Sequence, residues 1–196
     1  IGMVGKIDNV EKAISSEWKN IDDQIWLIGS YNSDITIAAS SYLEYFHGEI
    51  TGRPPKIDLQ DEKFSQSFLR SAILKSFVVS SHDISDGGLA IALAECCILS
   101  LKGASVEIDK DFNRDDNLLF AEGGSRIIFS IDQMKEKEWF NFLKNNEINS
   151  HSTVYVKKIG YVSSENFKIK IQDKNVCNIR VEELTEKFNN GISAYF

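Results

Sequence analysis

The chain has 196 residues, 42% of them hydrophobic, and a formal net charge of −7 from 22 basic and 29 acidic side chains. That size and apolar content support one packed domain, or one domain with a tail. The acidic balance, with Lys and Arg scattered, argues against a nucleic-acid partner, and no run approaches the roughly 18 apolar residues of a membrane span.

Residues 1–23 read as a lead-in segment. Its start, Ile1-Gly2-Met3-Val4-Gly5, is too short and glycine-rich for a signal peptide, and the missing initiator Met fits a piece of a longer chain. Ile25-Trp26-Leu27-Ile28-Gly29 is a short apolar run ending at glycine, the pattern of a central strand. Residues 36–47 look helical, with Gly48 as a C-cap. Pro54-Pro55 forces an extended loop. From Asp61 to about Ser76, Phe64, Phe68, Leu69, Ala72 and Ile73 fall at helical spacing. Phe77-Val78-Val79 reads as a strand that leads into a polar turn. A helix apolar nearly all round follows to Leu101, and Lys102-Gly103 closes it.

Ala104 to Ile108 alternates as a strand, and Asp109 to Asp116 forms an acidic loop. Ile127 to Ile131 is another strand, and Met134 to Leu143 an amphipathic helix. Short strands follow at 154–156, 159–162, 167–171 and 178–181, then a helix from Val181 to about Asn189. Strands and helices that alternate, followed by clustered strands, predict an α/β (α+β) fold: a layered sandwich around a mixed sheet. Trp26, Trp139 and the twelve Phe are assigned to the core.

The turn from Asp83 to Gly88 is the first candidate site. A helix start offers unpaired N–H groups and partial positive charge, and glycines let an anion approach the backbone. Asp83, Ser85, Asp86, Gly87 and Gly88 thus mark a place for phosphate or carboxylate. The structural alternative is that Ser85 or Asp86 caps the helix and the glycines permit tight packing. Asp83 and Asp86 read as turn formers rather than Mg²⁺ ligands.

Glu122-Gly123-Gly124-Ser125-Arg126 is the second candidate. Glu122 suits a ligand hydroxyl or amide, and Arg126 a phosphate. Here the alternatives are a hairpin turn at the glycines and a Glu122–Arg126 ion pair. A His82–Asp83 neighbour pair suggests a general base, but adjacent residues of a strand point to opposite faces, and no suitably placed Ser or Cys nucleophile is evident. Cys96 and Cys97 fall mid-helix among apolar residues, where thiols are inert. Three cysteines without Cys-x-x-Cys, and three scattered His, give neither a disulfide framework nor a zinc site. Reduced, buried thiols point to a cytoplasmic protein.

The stretch His82-Asp83-x-Ser85-x-Gly87-Gly88-Leu89, running into Ala90-x-Ala92-Leu93-Ala94-Glu95, resembles the C-terminal domains of the formylglycinamidine ribonucleotide synthases. These are ATP-dependent amidotransferases of purine biosynthesis, in the aminoimidazole ribonucleotide synthetase-like superfamily. Three further stretches match in the same order: Ile1-Gly2-Met3-Val4-Gly5, Gly52-Arg53-Pro54-Pro55-Lys56-Ile57-Asp58-Leu59, and Leu118-Leu119-Phe120-Ala121-Glu122 with Arg126. The resemblance implies a layered α/β domain over residues 24–196, after a lead-in, residues 1–23, from a preceding ATP-binding domain.

It also implies a reaction for the whole enzyme. ATP, Mg²⁺ and glutamine-derived ammonia are used; the formamide oxygen is phosphorylated, and ammonia displaces phosphate to give the amidine. The family's catalytic histidines, ATP lysine and most Mg²⁺ carboxylates lie in N-terminal domains that no stretch here matches. The implied role is therefore to line a cleft for a phosphorylated small molecule and to support assembly. The implied partners are the N-terminal domains, a glutaminase and a small accessory subunit, and no catalytic residue is assigned to this chain. In the family's first half, the stretch matching Glu122-Gly123-Gly124 reads Glu-Ser-Gln and binds the ribonucleotide; the two glycines here remove both polar side chains. Another synthetase of the superfamily, such as aminoimidazole ribonucleotide synthetase or selenophosphate synthetase, and a non-catalytic nucleotide-binding or scaffold module, remain the alternatives.

Overall fold

Seven strands form one sheet. In chain order the elements are β1 (Gln24–Ser30), α1 (Ser41–His47), α2 (Leu59–Leu74), β2 (Val78–Asp83), α3 (Gly88–Ser100), β3 (Gly103–Ile108), α4 (Asp115–Phe120), β4 (Ile127–Ile131), α5 (Glu136–Asn145), β5 (Val154–Ser163), β6 (Asn166–Ile171), β7 (Lys174–Arg180) and α6 (Val181–Asn190). The sheet order is β2-β4-β1-β5-β3-β6-β7. Every pairing is antiparallel except β3 with β6, which is parallel. This computed structural model describes residues 2, 4–30, 33–110, 114–146 and 153–191. Ile1 and Met3 of the lead-in, residues 111–113 of the acidic loop (Phe112 among them), and Phe196 lie outside the described residues.

Alternation along β1 builds two cores. Ile25 and Leu27 face the side covered by α3, α4 and α6, where Leu89, Leu93, Leu118, Ile128 and Val181 join them. Trp26 and Ile28 face α2 and α5, with Phe68, Phe129, Trp139 and Phe142. Side chains alternate across a strand, so a fully apolar strand demands cover on both faces, and β1 is buried along its whole length. Trp18, outside the strands, completes the first core.

Several elements differ from the sequence expectation, each for a local reason. The helix expected over 36–47 begins only at Ser41. Ala39 takes a positive φ of 55°, and the Ser40 hydroxyl accepts the Leu43 N–H as an N-cap. The expected polar turn after Val79 is largely strand, because β2 continues pairing with β4 to Asp83. Within it, the Ser80 and Ser130 hydroxyls meet at 2.6 Å in the interior. Leu101 ends α3 in the left-handed region, and Gly103 belongs to β3, where a side chain would collide with the Asn166 carbonyl. Asp115 and Asp116 are not loop but the first turn of α4, where carboxylates favour the positive helix end. Gly123-Gly124 therefore joins α4 to β4 rather than turning a hairpin. The strands expected at 154–156 and 159–162 are one strand. Phe46, Phe140 and Phe188 are exposed rather than core.

Candidate functional site

The sequence delivers α3 to the sheet through two consecutive left-handed glycines, Gly87 at φ 78° and Gly88 at φ 71°. Neither Ser85 nor Asp86 caps the helix: Gly87 is the N-cap residue, and no side chain of its own is available. Glu122 performs the capping from a distance. Its Oε1 accepts the Gly87 N–H at 2.7 Å and the Ser41 N–H at 2.8 Å. One carboxylate thus meets the positive starts of two helices. A Cβ on Gly88 would lie 2.6 Å from the Phe120 carbonyl carbon and 2.7 Å from the Ala121 oxygen. Glycine at 88 is required by the close passage of the chain leaving α4.

Asp83, Ser85 and Asp86 are exposed. The two ring nitrogens of His82 lie 2.6 Å from the Asp83 carbonyl oxygen and 3.1 Å from a Glu95 carboxylate oxygen. Among the described residues no group of three or more His, Cys, Asp or Glu stands close enough to hold a metal ion. Burial pushes the thiols of Cys96 and Cys97 up, that of Cys97 to about 12, and a protonated thiol is a poor nucleophile.

Arg126 does not pair with Glu122. It is 5% exposed, and it donates from Nε to the Gly123 carbonyl at 3.3 Å and from Nη2 to the Ala121 carbonyl. These bonds fix the loop that carries Glu122. Burial pulls its pKa below the ordinary arginine value, opposed by the nearby Tyr155, yet a guanidinium stays charged at neutral pH.

Arg126 also lines a cavity of about 650 Å³. The cavity opens where β1 and β3 end and β5 begins, and Leu27, Leu89, Ile108 and Leu118 form its apolar part. Ser33, Arg53, Tyr155 and Lys157 line it too, none of which sequence reasoning singled out as a site residue. Arg53 sits within a matched motif, but no spacing rule links positions 33, 53, 126 and 157; the fold alone brings them together. Of the sequence candidates, Gly87, Gly88 and Glu122 meet at the start of α3, Arg126 faces the cavity, and Asp83, Ser85 and Asp86 stay at the surface.

Comparison with known proteins agrees with this architecture. The chain is 83% identical, over its whole length, to the phosphoribosylformylglycinamidine synthase subunit PurL of Prochlorococcus marinus (strain MIT 9312), of which it spans 25%. Its fold matches Thermotoga maritima PurL complexed with ATP, with a TM-score of 0.67 and 14% identity over 90% of this chain and 28% of that one. The same protein complexed with FGAR matches with a TM-score of 0.67 and 15% identity, over 90% of this chain and 30% of that one. Residues 20–170 match the family described as AIR synthase related protein, C-terminal domain. With its mixed seven-stranded sheet and helices on both faces, the chain belongs to the AIR synthase related proteins, as their C-terminal domain.

Proposed function

We propose that this domain serves as the C-terminal domain of the synthetase subunit of a phosphoribosylformylglycinamidine synthase, an ATP-dependent ligase of purine biosynthesis. The observation that carries the reading is the 83% identity across all 196 residues to a PurL subunit. In the intact enzyme, formylglycinamide ribonucleotide is converted to the amidine with ATP and glutamine-derived ammonia. The N-terminal domains hold ATP and Mg²⁺ and carry the chemistry.

What this chain contributes is structural and ligand-facing. The residues present do not suit a metal-assisted phosphoryl transfer, because no metal-ligating cluster stands among the described residues and Glu122 already occupies the Gly87 N–H. No reaction step runs through ATP or Mg²⁺ here. The domain walls one side of a cleft for a phosphorylated small molecule and holds the N-terminal domains, a glutaminase and a small accessory subunit in register. Arg126 faces that cleft, and Glu122 fixes the start of α3 beside it. Cytoplasmic placement follows from this pathway, and no helix among the described residues is long and apolar enough to cross a membrane.

The test is phosphate release by the longer protein that contains this chain. It should require formylglycinamide ribonucleotide, ATP and an ammonia source together, while the 196-residue chain alone releases none. Phosphate release by the longer protein that is indifferent to the ribonucleotide would overturn the reading.

A further inference from the structure

Two buried polar groups on the cavity wall keep hydrogen-bonding capacity that the described residues do not use. The Ser33 hydroxyl makes no hydrogen bond although the residue is only 8% exposed. The Arg126 guanidinium spends Nε and Nη2 on two carbonyls, and Nη1 donates to nothing among the described residues. No carboxylate among the described residues forms an ion pair with it either; the neighbour that opposes the effect of burial is Tyr155, a phenol that is neutral at ordinary pH. A buried cation without a counter-charge is costly, and so is a buried hydroxyl without a partner. Both costs fall on the same cavity.

The remaining charges favour an anion. Arg53 is exposed and forms no ion pair among the described residues, and Lys157 stands 3.4 Å from Asp109. Against these cations the cavity sets Asp34, whose Oδ2 accepts the Lys56 N–H at 3.1 Å, and Asp109, held by Lys157. Both carboxylates are engaged, and the one fully enclosed charge is positive. A planar guanidinium with a neighbouring hydroxyl donor suits the oxygens of a phosphate. The apolar part, Leu27, Leu89, Ile108 and Leu118, suits the organic remainder of the molecule.

We propose that this cavity binds a small phosphate monoester, with Arg126 and Ser33 as its buried anchors and Arg53 as the outer cation. The site is separate from the start of α3, whose N–H groups Glu122 occupies, and Glu122 does not line the cavity. The proposal rests on the ligand part of the function proposed above and names the groups that hold the phosphate.

The test titrates the 196-residue chain with ribose 5-phosphate, with ribose as control, by calorimetry, and follows melting in parallel. Ribose 5-phosphate should bind and raise the melting temperature, and ribose should do neither. Ser33→Ala and Arg53→Ala should each weaken binding at least tenfold, the effect of one lost charge-assisted hydrogen bond. Neither should lower the melting temperature of the free chain, because neither side chain has a hydrogen-bond or ion-pair partner to lose among the described residues. Arg126→Lys should abolish binding; its melting temperature shows whether the loop bonds to Ala121 and Gly123 survive. Wild-type affinity in both Ser33→Ala and Arg53→Ala, or equal binding of ribose, would overturn the site. Ligase activity of the longer protein is measured separately, so failure here is distinct from failure of the proposed function.

Discussion

Glu122 sits 2.7 Å from the backbone nitrogen of Gly87, 35 residues earlier in the chain, and through the same oxygen it also holds the start of α1. Glu122→Ala leaves two helix-start donors without their acceptor. We expect a loss of about 1–3 kcal/mol in urea denaturation. Glu122→Gln keeps an accepting oxygen and should lose less. Equal stability of Glu122→Ala and wild type would show that water replaces the carboxylate at no cost.

Gly88 combines a positive φ with the backbone of Phe120 and Ala121 at its missing Cβ. Gly88→Val should destabilise by roughly 2–5 kcal/mol, from backbone strain plus overpacking, and Gly88→Ala by a smaller amount with the same sign. Melting temperatures of the two variants check this. A titration of the longer protein with formylglycinamide ribonucleotide then separates the roles. Unchanged affinity beside a lowered melting temperature assigns Gly88 to packing alone.

The Ser80 and Ser130 hydroxyls form a buried pair at 2.6 Å between β2 and β4. Removing one hydroxyl leaves the other unsatisfied, so Ser80→Ala and Ser130→Ala should each cost about 1–3 kcal/mol. The double variant should cost clearly less than their sum, because no orphaned hydroxyl remains. A double-mutant cycle in denaturant reads the coupling directly, and strict additivity would show that the pair does not act as a unit.

Burial pushes the Cys97 thiol up to about 12, with the Trp18 indole N–H pulling the other way, and the Cys96 thiol is raised as well. In the native chain both should resist iodoacetamide at about pH 8 and react once denaturant unfolds it. The linkage has a definite sign. An unfolded thiol ionises near 9.0, while the folded state keeps its proton. The thiol contribution to stability is fully present below about pH 9 and declines as pH rises toward the folded value. Cys97→Ser should flatten that alkaline decline in denaturation midpoints measured from about pH 8 to about pH 10.

The elements that sequence reasoning locates well are those whose signal is local. The continuous apolar run from Ile25 to Ile28 reports burial on both faces. The all-round apolar stretch from Leu89 to Ile98 reports a helix pressed against a sheet. Asp115 and Asp116 mislead because two acids in a row describe a loop and a helix start equally well. The site is less legible, for a different reason. Glu122 caps a helix from 35 residues away, and Ser33 and Arg126 share a cavity only because β1 and β4 are neighbours in the sheet. Neither relationship has a period or a spacing to read. The Glu122–Arg126 pair expected as the structural alternative does not form, because backbone groups on either side offer each residue better-placed partners.

Trp18 precedes the first strand, yet it is 1% exposed and its indole N–H points at the Cys97 sulfur from 3.4 Å. A boundary drawn where the sheet starts, at Gln24, would therefore pass through a packing unit. A chain trimmed there keeps every strand but loses an aromatic ring from against α3, a deletion of the kind that costs about 3–5 kcal/mol in a core. For shuffling, grafting or expressing this domain, the usable left margin lies upstream of that ring, set by a side chain rather than by secondary structure.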